Sequence, residues 1–157
     1  MLKPTRLLDL ALNVVLAAAV AWTATRFAYS TFPSISVAAG ASLLPVAAIE
    51  AALGFVIKNK IAEERIGDGS GELHPINVAR AAALAKASLQ VGSLAAGVWL
   101  GFLLWVFPQR GTVTAAAADS PGAVVGLLAG SALVAAALWL EHCCRAPDEP
   151  PDEPATT

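Results

Sequence analysis

Ala82–Phe107 reads AALAKASLQVGSLAAGVWLGFLLWVF, and its one charged side chain is Lys86. The stretch exceeds the ~20 residues that an α-helix needs to cross a hydrocarbon core of about 30 Å. Inside a bilayer the backbone must satisfy its own hydrogen bonds, so the stretch reads as a helix rather than a strand. Three further runs read the same way: Leu7–Phe27, Val37–Ile57 and Ala123–Leu140. The expected fold is all-α, an integral membrane four-helix bundle with spans at about residues 7–27, 37–57, 82–107 and 123–140.

Composition supports that solvent. The chain is 57% hydrophobic and 14% charged, whereas a soluble domain carries about 25% charged residues. Four spans leave no room for a separate soluble domain, so residues 1–145 form one membrane domain. Residues 146–157 hold the acidic duplication Pro147-Asp148-Glu149-Pro150 and Pro151-Asp152-Glu153-Pro154. Such a tail cannot bury apolar surface and is expected to be disordered, with a docking peptide as the alternative. The net charge of −2 comes with no basic stripe, which excludes nucleic acid and leaves the lipid bilayer as the first partner.

Lys and Arg placement sets the expected orientation. Lys3 and Arg6 precede the first run; Lys58, Lys60, Arg65 and Arg80 flank the middle loop; Arg145 follows the last run. The opposite side carries Arg26 and Arg110. Both termini and the loop 58–74 are therefore expected in the cytoplasm, and the loops 28–36 and 108–122 outside. Residues 1–24 have a basic start and small residues, as a signal peptide does. Their apolar stretch is longer than the 7–15 residues of a signal core, so a retained span is expected.

Prolines punctuate the helices. Pro4 suits a first helical turn, and the aromatic cluster Phe27, Tyr29 and Phe32 resembles an interfacial belt. Pro45 predicts a mid-span kink that releases the carbonyl of Ala41. His74-Pro75 starts a third helix that could run to Phe107, roughly 50 Å at 1.5 Å per residue, longer than the bilayer core. Ser120 followed by Pro121 reads as the start of the fourth helix, with Ser120 as N-cap. Gly67-Asp68-Gly69-Ser70-Gly71 has neither the preceding strand nor the Lys-Ser/Thr pair of a phosphate cradle, and reads as a linker.

Ionisable groups inside spans are costly, roughly 2.5–3.5 kcal/mol near the centre on insertion scales. Glu50 stands on the order of 10 Å inside the end of the second run, and Lys86 lies at matched depth on the third. Lys86, Gln90, Ser93, Gly97 and Gly101 share one helical face. Gly122, Gly126, Gly130 and Ala137 make a small stripe on the fourth helix, ending at Glu141. Two readings stand. In one, Glu50 and Lys86 are a structural clasp, and Gly97–Gly101 and Gly126–Gly130 are close-packing seams. In the other, Asn13, Glu50, Lys86 and Gln90 line a pocket open to the cytoplasm. The histidines are His74 and His142, without the order of a catalytic triad or zinc spacing. No enzyme, cofactor or metal is expected. Adjacent Cys143 and Cys144 read as surface thiols, with a lipid-modified or metal-touching pair as the alternative.

The opening Lys3-Pro4-Thr5-Arg6 with Asp9-Leu10, the segment Val78-Ala79-Arg80 through Leu84-Ala85-Lys86-Ala87-Ser88, and Ala137-Leu138-Trp139-Leu140-Glu141 through Cys143-Cys144-Arg145 resemble one family. It is the actinobacterial membrane domain of unknown function catalogued as number 3180. The resemblance implies four spans and an actinobacterial plasma membrane, and it carries no catalytic residues. Its genes often lie beside folate-biosynthesis genes, which hints at a pterin connection. The expected role is a non-catalytic accessory or scaffold subunit in a homo- or hetero-oligomer. The alternative is a small, dimeric transporter of an anionic, pterin-like metabolite that uses Glu50 with Lys86.

Overall fold

A computed structural model describes residues 6–62 and 75–144 of the chain. It contains α1 (Leu7–Ala28), a 3-10 turn (Tyr29–Thr31), α2 (Val37–Gly40), a second 3-10 turn (Ala41–Leu43), α3 (Leu44–Ala62), α4 (Pro75–Gln109) and α5 (Thr114–Cys143). Among the described residues, four helical segments are long and apolar enough to cross a membrane: Leu7–Thr31, Val37–Lys60, Ile76–Gln109 and Thr114–Cys143. Pro4, the glycine-rich linker and the acidic tail lie outside the described residues.

Local chemistry explains where the helices bend and start. Pro45 is the second residue of α3, a position where its missing N–H costs nothing. The helix adjusts just before it, in the 3-10 turn. There the carbonyl of Ala41 accepts from the Leu44 N–H, so the group expected to be released has a partner. Pro75 opens α4, and that helix runs for 35 residues, about 52 Å at 1.5 Å per residue.

The fourth span starts earlier than Ser120. Helix α5 begins at Thr114 with Pro121 inside it. Ser120 is no N-cap; its hydroxyl donates to the carbonyl of Ala116 at 2.6 Å. Ala115–Ala118 are the strongest helix formers available, and they extend the helix through a proline that removes one backbone bond.

Residue pairs fix the arrangement. Helix α4 lies between α1 and α5, α3 flanks α5, and α1 packs on α4 alone among the long helices. Gly97 and Gly101 of α4 meet Val14 and Ala18 of α1, so these two run parallel. Gly92 and Gly130 face Val134 and Ala96, making α4 and α5 antiparallel. Gly40 and Gly54 lie against Gly122 and Trp139, making α3 and α5 parallel. Arg6, Lys58, Lys60 and Arg80 therefore gather at one end, called the basic end below. Tyr29, Trp105 and Phe107 gather at the other.

Glycine makes the seams possible. A Cβ on Gly101 would sit 2.2 Å from the Ala18 carbonyl oxygen, and one on Gly97 2.5 Å from that of Val14. Gly126 receives the ring of Trp99, and Gly130 the backbone of Ala96. The two glycine pairs are thus not partners of each other. They seat α1 and α5 on different flanks of α4, and both are used within the chain.

Candidate functional site

Three of the polar residues singled out by sequence, Asn13, Gln90 and Glu50, make contacts on opposite flanks of α4. On the α1 flank, the Asn13 side-chain amide donates to Gln90 Oε1. On the α3 flank, the Ser88 hydroxyl donates to Glu50 Oε1. Residues 88 and 90 are about 200° apart around a helix, which is why one stripe could not hold both contacts. The same 200° separates Lys86 from Ser88. The group that reaches Glu50 Oε1 is Ser88.

Among the described residues Glu50 is the most enclosed acid, 1% exposed. Its second oxygen, Oε2, is buried and has no hydrogen-bond partner. Isolated buried polar atoms are uncommon, because each forfeits its bonds to water. One helical turn towards the basic end stands Gly54, and one turn further Lys58. The three share a face of α3 at i, i+4 spacing. That face meets Trp139 of α5. The indole lies on Gly54, where a Cβ would come within 2.7 Å of Nε1. The ammonium of Lys58 stands 5.0 Å from the ring centroid, a cation–π distance, and Phe55 packs 5.5 Å away, centroid to centroid. The indole Nε1 is also buried without a partner.

A second polar knot closes the other end. Asp119 is buried, accepting from the Tyr29 hydroxyl at 2.8 Å and from the Ile35 N–H at 2.9 Å. It pins the connection between α1 and α2 to α5. Tyr29 also stacks on Trp105 at 4.4 Å. Asp119 fell within the expected outer loop. The signal that marks it is its position as the one acid between Gln109 and Glu141, set in an alanine-rich run. For Trp139 the signal was the Glu50, Gly54, Lys58 spacing.

Of the two cysteines expected at the surface, Cys143 is buried and Cys144 half-buried. Cys143 is 7% exposed, and Cys144 packs against the cluster of Ile57, Ala81, Ala85 and Leu140. Both are free thiols. Helix α5 continues to Cys143 and turns its face inward there, against α3 and α4. Glu141 is buried and His142 exposed, as consecutive helical residues must diverge.

Away from these knots, α1 and α4 frame an open apolar groove of about 580 Å³. Its walls include Leu16, Val20, Ala24, Leu94, Val98 and Phe102. The outer flank of α1 is exposed, with Leu8 at 75% and Val20 at 70%. At membrane depth such a surface meets acyl chains or another span.

A family model described as a protein of unknown function (DUF3180) matches residues 10–148 of the chain. No curated protein and no solved structure matches it.

Proposed function

The chain belongs to the DUF3180 family of proteins of unknown function, and on that premise we propose that it is a non-catalytic accessory or scaffold subunit of a membrane assembly. The observation that carries this reading is the closure of Glu50. A carboxyl 1% exposed and tied to Ser88 between two helices is a clasp, whereas a substrate site must be reachable. The glycine seams are occupied internally, so the face left for a partner is the α1–α4 flank with its groove. The basic end faces the cytoplasm of an actinobacterial plasma membrane, following the bias of Arg6, Lys58, Lys60 and Arg80 over Arg26 and Arg110.

Photo-crosslinking tests this. A photoreactive residue at Val20, on the open flank, is expected to capture a discrete protein partner in native membranes. One at Leu128, exposed on α5, serves as the comparison. Lipid adducts alone at both positions would refute the scaffold reading.

The second reading, a small transporter of an anionic metabolite, draws on the unpartnered Oε2 of Glu50. A group held without its full complement of bonds is a candidate for transient binding. Transport needs water at residue 50 in some state of the protein. Glu50→Cys in a background of Cys143→Ser and Cys144→Ser should resist a polar thiol reagent if the clasp is static, and react if the site opens.

A further inference from the structure

Two amide side chains stand open on the α1–α4 flank. Asn13 is half-buried and Gln90 exposed, and the Asn13 amide donates to Gln90 Oε1. Beyond that bond the pair still offers the second N–H and the carbonyl of Asn13 and the N–H groups of Gln90. Asn13 lies about 9 Å inside the span that begins at Leu7, where acyl chains supply neither donors nor acceptors. An amide facing hydrocarbon forfeits its bonds to water, a cost that a polar neighbour removes. The open groove continues from this pair. Asn13, Leu16 and Val20 share a face of α1 at i, i+3, i+7 spacing, and Gln90, Leu94 and Val98 share a face of α4 at i, i+4, i+8. The amides thus close the end of the groove nearer the basic end, and its apolar walls run from them towards Phe32.

We propose that the Asn13–Gln90 pair, with the apolar flank of α1 beside it, is the contact surface for a second copy of this chain. The inference names the partner in the scaffold reading and rests on it. The occupant follows from the hydrogen-bonding groups. An amide both donates and accepts, so it is complementary to another amide. Copies inserted the same way round pack about a two-fold axis along the membrane normal, and that axis brings like residues to the same depth. The amides of one copy then face those of the other, at the level where acyl chains leave them unmatched. Leu12, Leu16 and Val20, each more than half exposed, pack at the neighbouring levels, and side chains of the second α1 enter the groove. Residues 12–24 and 87–109 carry no charge, so a partner with an ionised side chain at this depth would find no counter-charge. Asp9 stands a turn nearer the basic end, in the first turn of α1, where solvent screens its like charge on the second copy. Lipid would cover the apolar flank equally well, but it would leave the amides unbonded. Hydrogen bonds between such side chains hold spans together.

The test uses the full chain in lipid vesicles, in a background of Cys143→Ser and Cys144→Ser. Leu16→Cys, one turn from the amides, is expected to form a disulfide between copies on mild oxidation. Leu128→Cys, as exposed on α5 as Leu16 is on α1, is not. Counting subunits by single-molecule photobleaching as the protein is diluted in lipid gives the dimer affinity. It should fall about three- to tenfold in Asn13→Leu with Gln90→Leu, as interhelical hydrogen bonds of average strength, made once or twice, require. The exchanged pair, Asn13→Gln with Gln90→Asn, keeps the amides and should restore most of that loss. Should the leucine pair fail to fold, the wild-type count and the Leu16→Cys crosslink decide. A monomer at every density, crosslinking of Leu128→Cys as fast as Leu16→Cys, a folded leucine pair that dimerises undiminished, or an exchanged pair no better than the leucine pair would overturn the proposal. The photoreactive residue at Val20 separates this failure from that of the scaffold reading. Capture of a different protein alone refutes the second copy and leaves the scaffold, whereas lipid adducts alone refute both.

Discussion

Gly101→Ala should detach α1 from the rest of the molecule. The added Cβ would lie 2.2 Å from the Ala18 carbonyl oxygen and 2.9 Å from both its carbonyl carbon and its Cα. All three are backbone atoms, so no rotamer change relieves the clash, and the helices must separate by about 1 Å to restore ordinary contact. A gap of 0.5–1 Å forfeits about a quarter to a half of each dispersion contact across the seam. Overpacking of this kind costs about 1–3 kcal/mol. Helix α1 has no second helical neighbour to share the loss. A cost of about 2 kcal/mol would shift the docking equilibrium of α1 roughly thirtyfold. The assay is disulfide formation between Asn13→Cys and Gln90→Cys, whose parent side chains touch, in a background lacking Cys143 and Cys144. Crosslinking should slow in Gly101→Ala and hold its rate in Gly111→Ala, where nothing lies within 4 Å of the added Cβ. Equal crosslinking rates in both would refute the close-packed seam.

Three further outcomes follow from the polar contacts. Ser88→Ala leaves Glu50 without a bond on either oxygen and should destabilise the protein by about 1–3 kcal/mol in reversible detergent unfolding. The double variant Glu50→Leu, Ser88→Ala should recover most of that loss, since neither member of that bond is left orphaned. Asp119→Ala removes the acceptor of both Tyr29 and Ile35. Hydrogen exchange at Ile35 should accelerate several-fold, given about 0.5–1.5 kcal/mol for a net hydrogen bond, while Thr31→Ala, altering only a local turn bond, should leave it unchanged. Burial, and after it the neighbouring Cys143, raises the Cys144 thiol above its ordinary value. Its thiolate is therefore scarce at neutral pH, and alkylation in Cys143→Ser should be slow at pH 7 and rise about tenfold per pH unit. A rate already level from pH 7 upward would contradict that burial.

The polar contacts also show which parts of a site a linear reading can find. Asn13 and Gln90 were singled out by their cost in an apolar run, and they do bond to each other. Glu50 was found by the same reasoning, but its partner was not. Depth along two antiparallel helices brackets a partner to within a turn, whereas rotation about the axis decides which residue of that turn points inward. Lys86 and Ser88 differ little in depth and by about 200° in direction. Trp139 escaped notice because an aromatic near a helix end reads first as an interfacial anchor. Only its seat on Gly54 reveals it as the neighbour of Glu50.

Sequence by itself determined the helical class, the four runs long and apolar enough to cross a membrane, and the start of α4 at Pro75. These follow from short-range requirements: backbone bonds must close within each apolar run, and proline constrains its own turn. Tertiary structure alone decided that α4 takes α1 on one flank and α5 on the other. It also decided that α5 starts before its proline, that Cys143 is buried, and that Glu50 meets Ser88 and the surroundings of Trp139. The physical reason is that small residues on an apolar helix are compatible with several neighbours. Which faces meet is settled by packing backbone against backbone, summed over seams that no single run contains.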